Sequence, residues 1–224
     1  ERKRRQIGEH FFQALFQQRP TPREGFYFKP SMIEVVSEMP KGLPGVRAWD
    51  TGASTDGDAT AGVRVWGPDK DGYLYIDDIV WMKKLTDERN RRVQQVAAME
   101  RGVLQLLPQN PGDAGVDQKN MWRKVLVGLR FLVKLVERKR KEIRFEYLSA
   151  AMNAGSLRLV IRKHGPHGTP DQWAKPLFDE ARVFPNGKHD DTLDALNDAF
   201  RYLTRNTNQG FVVGGKGADV SGLA

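Results

Sequence analysis

Val46-Arg47-Ala48-Trp49-Asp50, Thr60-Ala61-Gly62-Val63-Arg64-Val65-Trp66 and Tyr73-Leu74-Tyr75-Ile76-Asp77-Asp78-Ile79-Val80-Trp81 are three β-rich runs separated by the turn-rich stretches Thr51 to Asp58 and Gly67 to Gly72. Apolar runs bounded by Gly, Asp and Pro predict an antiparallel meander of three strands. Thr86 to Arg101 then carries Val93, Val96 and Ala97 in a charged helical pattern, and Val103-Leu104-Gln105-Leu106-Leu107-Pro108 reads as a buried fourth strand. A helix between strands three and four predicts a crossover to a parallel strand. Further on, helices are expected near Asp117 to Leu129, Glu142 to Ala154 and Pro170 to Ala181, with short strands near Arg130 to Val136 and Ser156 to Ile161. The fold class is therefore α/β, a mixed sheet of three antiparallel strands extended by parallel ones and flanked by helices.

The last of these patterns opens on Lys188-His189-Asp190-Asp191-Thr192-Leu193-Asp194-Ala195, which holds three carboxylates within five residues. In a helix Asp190 and Asp194 share a face, and Asp191 lies three residues from Asp194, so the acids converge and repel unless a cation joins them. Leu193, Leu196, Phe200 and Leu203 form an apolar stripe behind them, which supplies a rigid support. The bland alternative is that His189 or Asp190 caps the helix while the other acids favour its positive end.

The chain has 224 residues, 36 Lys+Arg against 28 Asp+Glu, a net charge of +8 and no cysteine. That balance favours a polyanionic partner, nucleic acid first, and excludes disulfides, thiolate zinc sites and cysteine nucleophiles. No apolar run reaches membrane-spanning length, so a soluble, intracellular protein without a membrane partner is expected. No Gly-x-x-x-x-Gly-Lys-Ser/Thr loop occurs, and Gly214-Gly215-Lys216-Gly217 lacks the spacing. Residues 1–42 read as a lead-in or linker, 43–205 as the folded domain, and 206–224, rich in Gly and small residues, as a mobile tail.

Asp50 ends the first strand, Asn110 follows the fourth, and Asp190, Asp191 and Asp194 open the last helix, an order that suggests one site. Two hard divalent cations, ~3.5 to 4 Å apart in nucleases and phosphatases, need several oxygen ligands to offset their charge. Asp50 could instead begin an Asx-turn with Thr51 and Gly52. The run from Lys134 to Arg144 is dense in cations, and Arg138, Lys139, Arg140, Lys141 and Arg144 are candidate contacts to the DNA backbone, against a merely solvated face. Lys83-Lys84 with Arg89, Arg91 and Arg92 reads as an ordinary exposed helix face, and His164-Gly165-Pro166-His167 as a loop. The five tryptophans are assigned to the core before base stacking is invoked.

Three segments in this order carry a resemblance: Arg47-Ala48-Trp49-Asp50 with Gly57-Asp58-Ala59-Thr60-Ala61-Gly62; Leu107-Pro108-Gln109-Asn110-Pro111-Gly112-Asp113-Ala114-Gly115; and Phe184-Pro185-Asn186-Gly187-Lys188-His189-Asp190-Asp191-Thr192-Leu193-Asp194-Ala195. Together they resemble the nuclease domain of tailed-phage terminase large subunits, which has a ribonuclease H-like fold. Phe11 to Gly25 is similar to the segment joining the family's ATPase motor to its nuclease. The resemblance implies that Asp50, Asp190, Asp191 and Asp194, with position 110, bind two Mg²⁺ or Mn²⁺ ions. It implies an endonuclease that cuts concatemeric double-stranded DNA during packaging in the host cell cytoplasm. The missing motor, the portal and the small terminase subunit are the partners it implies.

In the branch resembled, an aspartate stands where this chain has Asn110. An amide oxygen ligates a hard cation without adding negative charge, so weaker metal binding is expected. Engineered inactivation, compensation by Asp113, or function with the remaining acids are all open at this point. The rival readings are a junction resolvase or transposase with the same chemistry, and a catalytically silent DNA-binding or docking module.

Overall fold

The computed structural model describes residues 27–52, 57–135, 141–161 and 173–206. Three strands, β2 (Gly45–Asp50), β3 (Thr60–Trp66) and β4 (Leu74–Met82), form the expected antiparallel meander. After helix α1 (Thr86–Met99) the chain returns as β5 (Leu104–Gln109), which pairs parallel to β2. Helix α2 (Asp113–Val125) leads to β6 (Phe131–Leu135), and α3 (Lys141–Asn153) to β7 (Leu157–Val160); both strands are parallel to their neighbours. Helices α4 (Lys175–Val183) and α5 (Asp191–Asn206) follow.

One strand lies outside the expected order. Glu34–Val36 forms β1, parallel to β7, so the sheet runs β1-β7-β4-β3-β2-β5-β6 and begins within the stretch read as lead-in. Phe28 and Ile33 join the core beside it. A strand of three residues has too few alternations to signal itself, and its hydrogen bonds to β7 are the reason it is extended. Residues 1–26 of the lead-in, the histidine-containing loop at 164–167 and the tail from 207 onward lie outside the described residues.

The sheet is covered on both faces, which is why β3 and β4 read as almost continuous apolar runs. On one side Val93, Val96, Ala97, Trp122 and Leu126 from α1 and α2 pack on Trp49, Val80 and Leu107. On the other, α3, α4 and α5 cover Val46, Ala48, Val63 and Ile76. Trp49, Trp122 and Trp173 are buried as expected, whereas Trp81 is exposed. Helix α2 starts four residues before its expected position, because Gly112 adopts φ 88° and Gly115 lets the first turn lie against Asn110. A Cβ at Gly115 would stand 1.7 Å from the Asn110 carbonyl oxygen.

Arg47 and Arg64 face each other across β2 and β3, an arrangement that like charge disfavours. Glu100, just beyond α1, joins them: its carboxylate accepts from Arg47 Nε at 2.9 Å and from Arg64 at 2.7 Å. The register of β4 skips one residue opposite Arg64 and Val65, and this bulge allows the adjacent acids Asp77 and Asp78 to pair with Arg64 and Arg47 respectively. Burial alone would raise the Glu100 carboxyl, but the two guanidiniums hold it below its ordinary value. Removing Glu100 leaves two buried arginines facing each other, so Glu100→Gln should cost about 3–5 kcal/mol in urea unfolding. Glu88→Ala, which breaks the exposed Lys84–Glu88 pair, should change stability by less than about 1 kcal/mol in the same assay.

Candidate active site

Alternation along β2 decides where Asp50 points. Trp49 packs on the α1–α2 side, so Val46, Ala48 and Asp50 project towards α5. Trp49 lies over Gly62, where a Cβ would approach its ring to 2.5 Å, and its indole N–H donates to Gln105 at 2.9 Å. The residue beside Asp50 is thus locked in place. Asp50 Oδ1 accepts the adjacent Thr51 N–H at 2.9 Å, whereas the Gly52 N–H that an Asx-turn would require donates to the Ala59 carbonyl at 3.1 Å, and the Asp50 side chain lines a pocket.

Helix α5 buries Leu193, Leu196, Phe200 and Leu203 as expected, together with Ala195 and Ala199. Its acids follow from that orientation. Asp194 and Asp198 line a cavity of about 140 Å³ with Asp50, Asn110, Gln118 and Arg144. Burial pushes the Asp50 carboxyl up to about 7, and Asp191, Asp198 and Asp190 push the same way against the single Thr51 bond. Asp191 is 4% exposed, and burial followed by the charge of Asp58 raises its carboxyl despite a hydrogen bond from the Ala59 backbone. Its Oδ2 has no hydrogen-bond partner and lies 3.8 Å from His189 Nδ1.

Asp190 stands immediately before α5, where its carbonyl accepts the Asp194 N–H at 2.8 Å, and a neighbouring helix supplies further acceptors. Glu180 of α4 accepts the N–H groups of Thr192 at 2.8 Å and Leu193 at 3.0 Å, and the Thr192 hydroxyl at 2.9 Å. A neighbouring helix therefore satisfies the first turn of α5, a role that sequence spacing does not reveal. Burial pushes Glu180 up to about 7, with those three hydrogen bonds opposing.

Asn110 sits where β5 gives way to α2, and its N–H donates to the Gln118 side chain at 2.9 Å. Asp113 begins α2, and neither it nor Asp191 is among the residues lining this pocket. Arg89 departs from the exposed helix face expected of it: it is 5% exposed, donates to the Gly52 carbonyl at 2.9 Å and lies over the Trp122 ring. It thereby ties α1 to Gly52, two residues beyond Asp50. Asp198 was missed in the sequence, although its spacing of four from Asp194 was the available signal.

Of the basic run, Arg138, Lys139 and Arg140 lie outside the described residues, and Lys141 begins α3. Arg144 points into the pocket and pairs with Asp194, while Lys134 of β6 pairs with Asp198 at 3.0 Å. As they stand, no three carboxylates or imidazoles among the described residues are gathered closely enough to hold one cation. The donor chemistry nevertheless suits a hard cation: oxygen atoms predominate, the Asp50 carboxyl is raised by burial and neighbouring acids, and Asp191 Oδ2 is buried without a hydrogen bond.

The family model described as the terminase RNaseH-like domain matches residues 47–203. No curated protein matches the chain. Among solved structures, the nuclease domain of the P22 large terminase is similar at 17% identity, covering 80% of this chain and 91% of that one with a TM-score of 0.55. The human cytomegalovirus terminase nuclease domain, manganese-soaked and inhibitor-bound, is similar at 14% identity over 88% and 94% of the two chains, with a TM-score of 0.53. At these identities the likeness is one of fold, the ribonuclease H-like mixed sheet flanked by helices.

The raised carboxyls make metal-free stability depend on pH. Native Asp50 and Glu180 keep their protons to about pH 7, whereas their ordinary values are 3.8 and 4.5. The folded state thus binds more protons in that window, and its stability should fall as pH rises through it. In EDTA, Asp50→Asn should lose part of that slope, so urea unfolding at pH 5 and pH 8 should differ less than in the parent chain.

Proposed function

The chain belongs to the terminase RNaseH-like domain family, and on that premise we propose that it is a metal-dependent endonuclease that cuts double-stranded viral DNA during genome packaging. The observation that carries this reading is that Asp50, Asp194 and Asp198 line one pocket, while burial first, and then the charges of Asp191, Asp198 and Asp190, push the Asp50 carboxyl up to about 7. A polyanion is the natural substrate of a chain with net charge +8. Family membership places it with terminases rather than junction resolvases.

Two Mg²⁺ or Mn²⁺ ions are proposed, held by Asp50 and Asp191 on the buried side and by Asp194, Asp198 and the Asn110 amide oxygen on the open side. When bound, such cations polarise the scissile phosphate and lower the pKa of water beside it. Asp190, just ahead of α5, contributes negative charge to the same region. Glu180 orients the first turn that carries Asp191, Gln118 orients Asn110, and Arg89 holds Gly52, two residues beyond Asp50. Arg138, Lys139, Arg140 and Lys141 are proposed to track the DNA backbone. The ATPase motor, the portal and the small terminase subunit are the proposed partners, with action in the host cytoplasm.

A silent DNA-docking module is the second reading, and the neutral Asn110 favours it. A nicking assay on supercoiled plasmid with Mg²⁺ or Mn²⁺ decides between them. Asp50→Ala should lower cleavage roughly 10²- to 10³-fold; unchanged cutting would remove Asp50 from the site. Asn110→Asp should tighten Mn²⁺ binding by about tenfold and speed cleavage, since ligand charge sets affinity for hard cations. Identical titrations for the two proteins would place residue 110 outside the metal shell.

A further inference from the structure

Two acids of α5, Asp194 and Asp198, carry counter-ions drawn from one segment of this chain. Arg144 on α3 lines the pocket and pairs with Asp194, and Lys134 on β6 pairs with Asp198, another of the pocket's acids. The Arg144 pair is partly buried, with 14% and 21% of the two side chains exposed. It is also incomplete, because Arg144 Nε is buried without an acceptor. The adjacent Phe145 is fully buried in the core and anchors this turn of α3, while the Arg144 guanidinium lies 5.2 Å from its ring. The backbone is therefore fixed, and what remains to move is a flexible side chain whose hydrogen bonding is only partly satisfied.

We propose that Arg144 is a stand-in counter-ion: it neutralises Asp194 in the metal-free protein, and a divalent cation must displace it, freeing the guanidinium for a DNA phosphate. This rests on the metal-centre reading above. The spread of the acids follows directly, since Asp194 and Asp198 are drawn towards basic side chains instead of a common centre. A guanidinium and a divalent cation cannot share Asp194 without like-charge repulsion, so one leaves as the other arrives. A planar guanidinium released beside the pocket is suited to bidentate phosphate contact. Metal loading and DNA binding are thus coupled through one side chain, and each should strengthen the other.

The test uses the full chain without cleavage. Mn²⁺ binding is measured by titration calorimetry for the parent, Arg144→Gln and Arg144→Lys, and duplex affinity is measured by fluorescence anisotropy in Ca²⁺ and in EDTA. Arg144→Gln should bind Mn²⁺ about tenfold more tightly, because a competing charge is gone. It should also lose most of the gain in DNA affinity that Ca²⁺ brings to the parent. Arg144→Lys keeps the charge and should stay near the parent in Mn²⁺ affinity, which separates competition from a packing defect. If Arg144→Gln binds Mn²⁺ no more tightly than a parent that binds it, or if the Ca²⁺ gain in DNA affinity is unchanged, the inference falls while the metal centre stands. If none of the three proteins binds Mn²⁺, the metal centre itself falls and takes the inference with it.

Discussion

Helix α5 is seated by Leu193, Leu196, Phe200 and Leu203, and that contact carries Asp191, Asp194 and Asp198 towards Asp50 whatever their charges prefer. Burying four such side chains is worth about 1.5–3 kcal/mol each. Holding Asp50 ionised against a carboxyl pushed from 3.8 to about 7 costs on the order of 4 kcal/mol. The apolar term exceeds the electrostatic one. The fold can therefore hold an under-compensated acidic site at the end of β2, and the strain appears as raised carboxyls.

The two faces of β2 treat charge in opposite ways. On the α1–α2 side, Arg47 is fully buried and every charge near it has a partner, with Glu100, Asp78 and the Gly62 carbonyl all accepting from its guanidinium. On the α5 side, three residues further along, Asp50 has a single backbone donor and a surround of acids. One face is a closed ion network that specifies the register of β2, β3 and β4. On the other, the positive charge of Arg144 and Lys134 is paired with Asp194 and Asp198, and Asp50 is left with a raised carboxyl.

Elements with several periods of apolar alternation were legible before any coordinates: the meander of β2, β3 and β4, the crossover through α1 to β5, and the stripe of α5. Their burial pattern is written in the residues themselves. Strand β1 escaped because three residues carry almost no period, and the start of α2 was displaced because its signal is the conformation of Gly112 and the space beside Gly115. Arg89 was misread for a related reason. Its neighbours alternate in sign along an exposed helix, and only the approach of Gly52 and Trp122 turns it inward.

Sequence alone determined which carboxylates the chain owns, their order along it and the helix and strand ends that hold them, because those depend on spacing within single elements. It likewise determined that Asn110 brings an amide to a position expected to carry charge. Only the tertiary structure decided that Glu180 from α4 caps α5, that Asp198 joins the pocket while Asp113 does not, and that Arg144 faces Asp194. Each of these is a contact between elements distant in sequence or a choice of helix face, and such contacts are set by how helices pack on the sheet, which no local period encodes.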